Sequence, residues 1–276
     1  MIPFTFDYYK PESIEEAYKT FSSEWSLGKK VIFYSGGTEV ITFARGGKLK
    51  ADAVIDLKGI DECNVLKIED DQLIIGSAVT LNEITESELF PMLGNMVRKI
   101  ADHTSRNKIT IGGNLLSGLP YREALLPLLV ADALITVAGP KERDVFPAEQ
   151  IAAAKVKDGS FITQIKVPVS NLNLPYACLK QTRTSTVGYP IVSIAAMLKN
   201  ERIRIAFSGL SDTPFRSAVV EGVLNDHSLD VKERINKAVA KMPATIMEDF
   251  LASKKFRQFT LTQLLNEMFE ELEEAQ

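Results

Sequence analysis

The stretch Ile109-Thr110-Ile111-Gly112-Gly113-Asn114-Leu115-Leu116-Ser117-Gly118-Leu119-Pro120 holds the densest set of residues suited to something other than packing. Gly112 and Gly113 leave the backbone bare, so a ligand can approach the main chain closely. They also permit positive φ, which lets successive N–H groups converge on one point. A concave set of N–H donors is an anion site. Thr110 and Asn114 flank the pair with side-chain hydrogen-bonding groups. A lone Gly-Gly between apolar runs reads first as an ordinary turn.

The pair is not alone. Val31-Ile32-Phe33-Tyr34-Ser35-Gly36-Gly37-Thr38-Glu39-Val40 has the same form: an apolar run, Gly-Gly, a small polar residue, then apolar residues again. Two such loops can hold two parts of one phosphate-bearing ligand. Residues 30–34 read as a strand and 38–45 as a short helix. That order places backbone N–H groups at a helix start, where the dipole favours an anion. Neither loop matches G-x-G-x-x-G or carries G-K-[ST], so a Rossmann or nucleotide-triphosphatase reading has little support.

At 276 residues the chain has room for one large domain or two smaller ones, and 45% hydrophobic residues support a sizeable core. The net charge of −4 gives no electrostatic case for nucleic acid. No run approaches the length of a membrane span, and the N-terminus lacks the form of a signal peptide, so a cytoplasmic protein is expected. Cys63 and Cys178 lie in apolar company and read as reduced packing residues. His103 and His227 show no metal-ligand spacing. Redox chemistry in this chain would therefore need an organic cofactor.

Capping boxes predict helices after Ser13, Thr80 and Asp230. Further helices are expected at 93–101, 122–130, 215–224 and 261–272. Strands are expected at 53–57, 133–137, 161–167, 176–182, 191–198 and 202–208, with a hairpin over 65–75 turning at Asp70-Asp71. Pro168 to Pro175 reads as a linker. The stripe Leu261, Leu264, Leu265, Met268, Phe269 and Leu272 reads as core rather than as a partner-facing surface. The acidic end, Glu270 to Glu274, opposes the helix dipole and is expected to fray.

The loops Ser35-Gly36-Gly37-Thr38-Glu39 and Thr110-Ile111-Gly112-Gly113-Asn114 resemble the two flavin loops of the FAD-binding medium subunit of molybdenum hydroxylases, the xanthine dehydrogenase and carbon monoxide dehydrogenase flavoproteins. Phe4-Thr5-Phe6-Asp7-Tyr8, Ile75 to Leu81, Arg106-Asn107-Lys108, Leu179-Lys180-Gln181 and Ser208-Gly209-Leu210 extend the resemblance over nearly the whole chain. It implies an α+β fold: a two-lobed FAD-binding domain of the PCMH type at 1–170, split near 55–60, then a small α+β domain at 176–276 with a three-stranded sheet and helices. It implies FAD as cofactor, held by Phe33, Tyr34, Ser35, Gly36, Gly37, Thr38, Glu39, Val40, Thr110, Gly112, Gly113 and Asn114. Ile100 and Ile162 fall at apolar ring contacts, Glu123 at a family carboxylate, and Lys180 where a cation would stabilise reduced flavin.

The resemblance further implies a molybdopterin-binding large subunit and a 2Fe-2S small subunit as partners, with NAD or another electron acceptor. The xanthine dehydrogenase branch is the first expectation. The run Gly118-Leu119-Pro120-Tyr121-Arg122-Glu123 departs from the family pattern. Glu123 lengthens an aspartate's arm, and Arg122 would contact a phosphate or pair with Glu123. Thr184-Ser185-Thr186-Val187-Gly188-Tyr189-Pro190 departs too; Tyr189 would gate the flavin edge or be a buried structural tyrosine. Two alternatives stand beside this reading: a binding or assembly protein that has lost flavin, and a free-standing flavin oxidase. A bulky side chain at Gly112 is expected to abolish flavin binding and spare the fold.

Overall fold

The computed structural model describes residues 2–140, 142–153, 156–157, 159–185, 187–242 and 245–275. Thr186, within the second departing segment, lies outside them. Among the described residues the chain builds three sheets in sequence order. The first is parallel: β1 (Asp7–Tyr9), β2 (Val31–Tyr34) and β3 (Ala53–Asp56) lie in the order β1-β3-β2. Helices α1 (Ile14–Ser26) and α2 (Thr38–Arg45) make the crossovers. Ser13 caps α1 by accepting from Glu16 N–H, but the Glu16 carboxylate takes the Glu12 N–H, so the expected box closes one residue early. Tyr18 is buried and Phe21 packs beside it.

The second sheet is antiparallel, formed by β4 (Leu66–Glu69), β5 (Gln72–Gly76), β6 (Leu134–Ala138), β7 (Arg143–Pro147) and β8 (Phe161–Pro168) in the order β4-β5-β8-β6-β7. Asp70 and Asp71 turn the β4–β5 hairpin with φ of 48° and 57°, the left-handed pair of a tight two-residue turn. Helices α3 (Leu81–Ser87), α4 (Pro91–Arg98), α5 (His103–Arg106), α6 (Ile111–Leu115), α7 (Leu125–Val130) and α8 (Ala148–Ala153) complete this part. Thr80 and Glu83 form the expected capping box of α3.

The segment from Pro168 is no free linker. Asn171 and Leu172 are buried, and Asn171 donates to the Ala131 carbonyl at 2.9 Å. Beyond it lies the third sheet: β9 (Tyr176–Thr182), β10 (Pro190–Lys199), β11 (Arg202–Ser208) and the two-residue edge strand β12 (Phe215–Arg216), which adds to the three strands expected. Helices α9 (Ala218–Leu224), α10 (Val231–Ala240) and α11 (Lys254–Glu274) cover one face. Because successive side chains alternate faces, Ile194 and Ala196 of β10 pack under these helices while Ala195 and Met197 join the core of the second sheet. Burial on both faces explains why β10 reads as an unbroken apolar run.

The whole stripe of α11 is buried, as core. The helix continues through the acidic end to Glu274, held by Phe269 and Leu272 beneath it. Both cysteines are buried and unpaired, and burial pushes the Cys63 thiol up to about 11. Among the described residues no helix is long and apolar enough to cross a membrane.

Candidate functional site

Strand β2 delivers the chain to Ser35-Gly36-Gly37. Gly37 is left-handed, with φ of 72° and ψ of −1°, and precedes α2 without a side-chain cap. A Cβ at Gly37 would strike the Tyr34 ring, and one at Gly36 would strike the Lys108 carbonyl. Both glycines are therefore required, one by conformation and one by close approach. The N–H groups of Gly36, Gly37, Thr38, Glu39 and Val40 meet no acceptor among the described residues, the usual condition of a helix start awaiting a partner. The Ser35 hydroxyl oxygen is buried and has no hydrogen-bond partner there either. Phe33 packs away from this loop, against Phe21 and Phe161 at 5.3 and 4.6 Å.

The second loop differs from what its sequence suggests. Gly112 and Gly113 lie inside the short helix α6, and neither is among the positive-φ glycines. The Ile111 N–H donates to the Val79 carbonyl and the Gly112 N–H to the Ser77 carbonyl, each at 2.9 Å. Gly113 N–H reaches the capping hydroxyl of Thr110 at 3.3 Å, and Asn114 N–H the Thr110 carbonyl at 2.9 Å. The expected nest of converging donors is thus absent from this loop. Gly112 is needed for packing instead: a Cβ there would sit 2.7 Å from Ser77 Cβ and 2.8 Å from its carbonyl oxygen. The expectation that a bulky residue at Gly112 spares the fold is corrected accordingly. Gly113 is exposed, and a Cβ there would meet only the Thr110 hydroxyl, at 3.0 Å. Its bare face is the one open to a ligand.

Two contacts bracket α6 and join the loops. Gly36 backs onto the backbone of Lys108 and Thr110 on one side. On the other, the Glu39 carboxylate accepts from Ser117 Oγ at 2.8 Å and from Gly118 N–H at 3.1 Å. From Asn114 the line of contacts runs on: its Oδ1 accepts from Ala124 N–H at 3.2 Å, next to Glu123. Glu123 is 5% exposed, accepts from Ser193 Oγ at 2.7 Å and pairs with Lys180 at 3.0 Å. Lys180 donates its second bond to the Lys99 carbonyl at 2.8 Å, beside Ile100. Burial pushes the Glu123 carboxyl up from the usual range, opposed by the Lys180 charge and the Ser193 hydrogen bond.

The expected residues divide clearly. Ser35 to Val40, Thr110 to Asn114, Glu123, Lys180 and Ile100 form one continuous line of contacts. Ile162 is 1% exposed in the core cluster that also holds Ile111 and against which Ile100 packs, so it supports the line from within the core and presents no open face. Arg122 neither pairs with Glu123 nor faces a phosphate loop: it donates to the carbonyls of Leu115, Ile151 and Ala152, closing the ends of α6 and α8. Tyr189 is 51% exposed and stacks on Tyr121 at 5.1 Å, which removes the buried-structural reading.

Sequence reasoning assigned no part to Lys58 or Asp56, which brace the first loop from behind, or to Arg106, which donates to the carbonyls of Arg98, Ile100 and Ala101 and shapes the Ile100 turn. The charged Asp-x-Lys directly after an apolar strand was the available signal for the first pair. A dinucleotide flavin needs donors for its pyrophosphate and a close approach to bare backbone. The free N–H groups at α2, the unpartnered Ser35 hydroxyl and the open face of Gly113 fit those needs.

The family model that matches is described as the FAD binding domain in molybdopterin dehydrogenase, over residues 4–170. The carbon monoxide dehydrogenase medium chain of Hydrogenophaga pseudoflava is 25% identical over 228 residues, 78% of each chain. The glyceraldehyde dehydrogenase medium chain of Sulfolobus acidocaldarius is 26% identical over 234 residues, 80% of this chain and 81% of the relative. Among solved structures, carbon monoxide dehydrogenase from Hydrogenophaga pseudoflava superposes with a TM-score of 0.89 at 21% identity, over 100% of this chain and 99% of that one. The chain belongs to the FAD-binding domain family of molybdopterin dehydrogenases: it is a medium, FAD-binding subunit of the molybdenum hydroxylase type, and its cofactor is FAD.

Proposed function

We propose that this chain is the electron outlet of a molybdenum hydroxylase complex of the xanthine dehydrogenase kind. A molybdopterin-binding large subunit would oxidise the substrate, and a 2Fe-2S small subunit would pass the electrons on. Bound FAD supplies two-electron chemistry between those clusters and NAD or another acceptor. The observation that carries this reading is the match to relatives named as medium chains along about four-fifths of both partners.

The chain's own residues would bind, orient and shield. The N–H groups of residues 36–40 and the Ser35 hydroxyl would hold phosphate oxygens, where the α2 dipole also favours negative charge. Gly113 would let the cofactor lie against bare backbone, with Thr110 and Asn114 beside it. Ile100 would line the ring and the exposed Tyr189 would cover its edge. Lys180, already paired with Glu123, would hold the Ile100 turn through Lys99 as well as lend positive charge. We assign 1–170 to the FAD-binding domain, with lobes divided near 55–60, and 176–276 to the C-terminal domain.

Purification through a tag on this chain from its native cells tests the proposal. Co-purification of molybdenum- and iron-bearing chains is expected, with flavin bleached by the complex's substrate and recovered on adding acceptor. Isolation as FAD protein alone, reacting directly with oxygen, would establish the free-standing oxidase. A colourless complex that takes up no FAD would establish the flavin-free assembly protein.

A further inference from the structure

Behind the first glycine loop sits a charged cluster that none of the preceding roles uses. The Lys58 ammonium donates to the Ser35 carbonyl at 2.8 Å and to both carboxylate oxygens of Asp56 at 2.8 and 2.7 Å. It also lies over the Tyr34 ring, 4.7 Å from its centroid. Asp56 is 1% exposed, and its carboxylate additionally accepts from the Tyr8 hydroxyl, which lifts the Tyr8 phenol to about 12. The ammonium is therefore fixed on three sides: by a buried carboxylate, a carbonyl and an aromatic face.

The consequence follows from peptide planarity. No cis bond occurs among the described residues, and in a trans peptide the C=O and the following N–H point in opposite directions. Drawing the Ser35 carbonyl toward Lys58 turns the Gly36 N–H away from Lys58. Gly36 itself is held against Lys108 and Thr110, so this peptide cannot slide along the loop. Without Lys58, the Ser35–Gly36 plane could rotate, because glycine opposes such a flip with little steric resistance. A flipped plane would present a carbonyl oxygen, with its partial negative charge, to an incoming phosphate.

We propose that Lys58 is a positioning residue for FAD: anchored by Asp56, it locks the Ser35–Gly36 peptide with its N–H toward the cofactor's pyrophosphate. The proposal rests on the assignment of the first loop to the phosphates. It predicts a dependence on Asp56 that a direct Lys58–phosphate contact would reverse, since freeing Lys58 from its carboxylate would then strengthen binding.

The test is FAD affinity of the full chain, in the assembly in which the wild type retains FAD. Lys58→Met keeps the stem over Tyr34 and removes the charge. Its expected effect is a rise in Kd of about tenfold, the scale of one charge-assisted hydrogen bond. Asp56→Asn should weaken binding in the same direction, and Lys58→Arg should restore it. At saturation, the 31P resonances of bound FAD should shift in Lys58→Met while the visible flavin bands stay unchanged. Unaltered affinity in Lys58→Met, or tighter binding in Asp56→Asn, would overturn the proposal. Should Asp56→Asn fail to fold, the Lys58→Met and Lys58→Arg pair decides alone: the lock requires loss in the first and recovery in the second. Thr38→Glu separates the two levels. If it retains FAD, the phosphate assignment itself falls; if it loses FAD while Lys58→Met does not, only the lock falls.

Discussion

The two glycine loops look alike in sequence and do different work in the fold. In the first, Gly37 is left-handed and the N–H groups of residues 36–40 meet no acceptor among the described residues. In the second, the same Gly-Gly pair is helical, and its N–H groups already bond to Ser77 and Thr110. The first loop is a donor set; the second is a close-packed floor with one bare face, at Gly113. The difference comes from tertiary contact. Thr110 bridges to Thr80 and Gly112 presses on Ser77, so the second loop is held by the strand end before α3. The N–H groups of the first loop meet no such acceptor among the described residues.

That contrast can be broken from its strongest point downward. Gly113→Val places bulk on the open face while meeting only the Thr110 hydroxyl. FAD affinity, followed by flavin fluorescence, should fall on the order of a hundredfold, with little change in the melting curve because glycine is the poorer helix residue. Gly112→Val should do the reverse. Overpacking against Ser77 should cost about 1–3 kcal/mol of stability in urea unfolding, and any flavin loss should track unfolding. Equal effects from the two glycines would erase the distinction between floor and face.

Thr110→Val removes the α6 cap and should cost about 1 kcal/mol, read as a drop of a few degrees in Tm. Glu39→Ala unties the loops from each other. Its expected effect is about a fivefold loss of FAD affinity; Ser117→Ala should lose less, because the Gly118 N–H still reaches Glu39, and the double variant should lose no more than Glu39→Ala. Additive losses would mean that Glu39 and Ser117 do not act as one contact.

Much of this was legible. The strand–loop–helix order at residues 31–45 follows from an apolar run, two glycines and a capping-poor helix start, all local. The hairpin at Asp70-Asp71 and the capping boxes at Thr80 and Asp230 are local too. What stayed hidden depends on partners distant in sequence. Nothing near Gly112 announces that its N–H is taken by Ser77. Arg122 reads as a phosphate contact until α8 arrives with the carbonyls of Ile151 and Ala152. Lys180 reads as a cation placed to stabilise reduced flavin; its pairing with Glu123 appears only when the third sheet packs on α7. The edge strand β12 is too short to show a pattern, and it moves the start of α9 to Ala218, after the cap at Ser217.

The central claim is that the free N–H groups at the start of α2 hold the pyrophosphate of FAD. It is tested most directly by titrating the wild type and Thr38→Glu with FAD, following visible absorption of the bound flavin. The added carboxylate suits the helix dipole, so the variant should melt no lower than the wild type. The account predicts that the wild type takes up FAD and the variant does not. Undiminished FAD uptake by folded Thr38→Glu would contradict it.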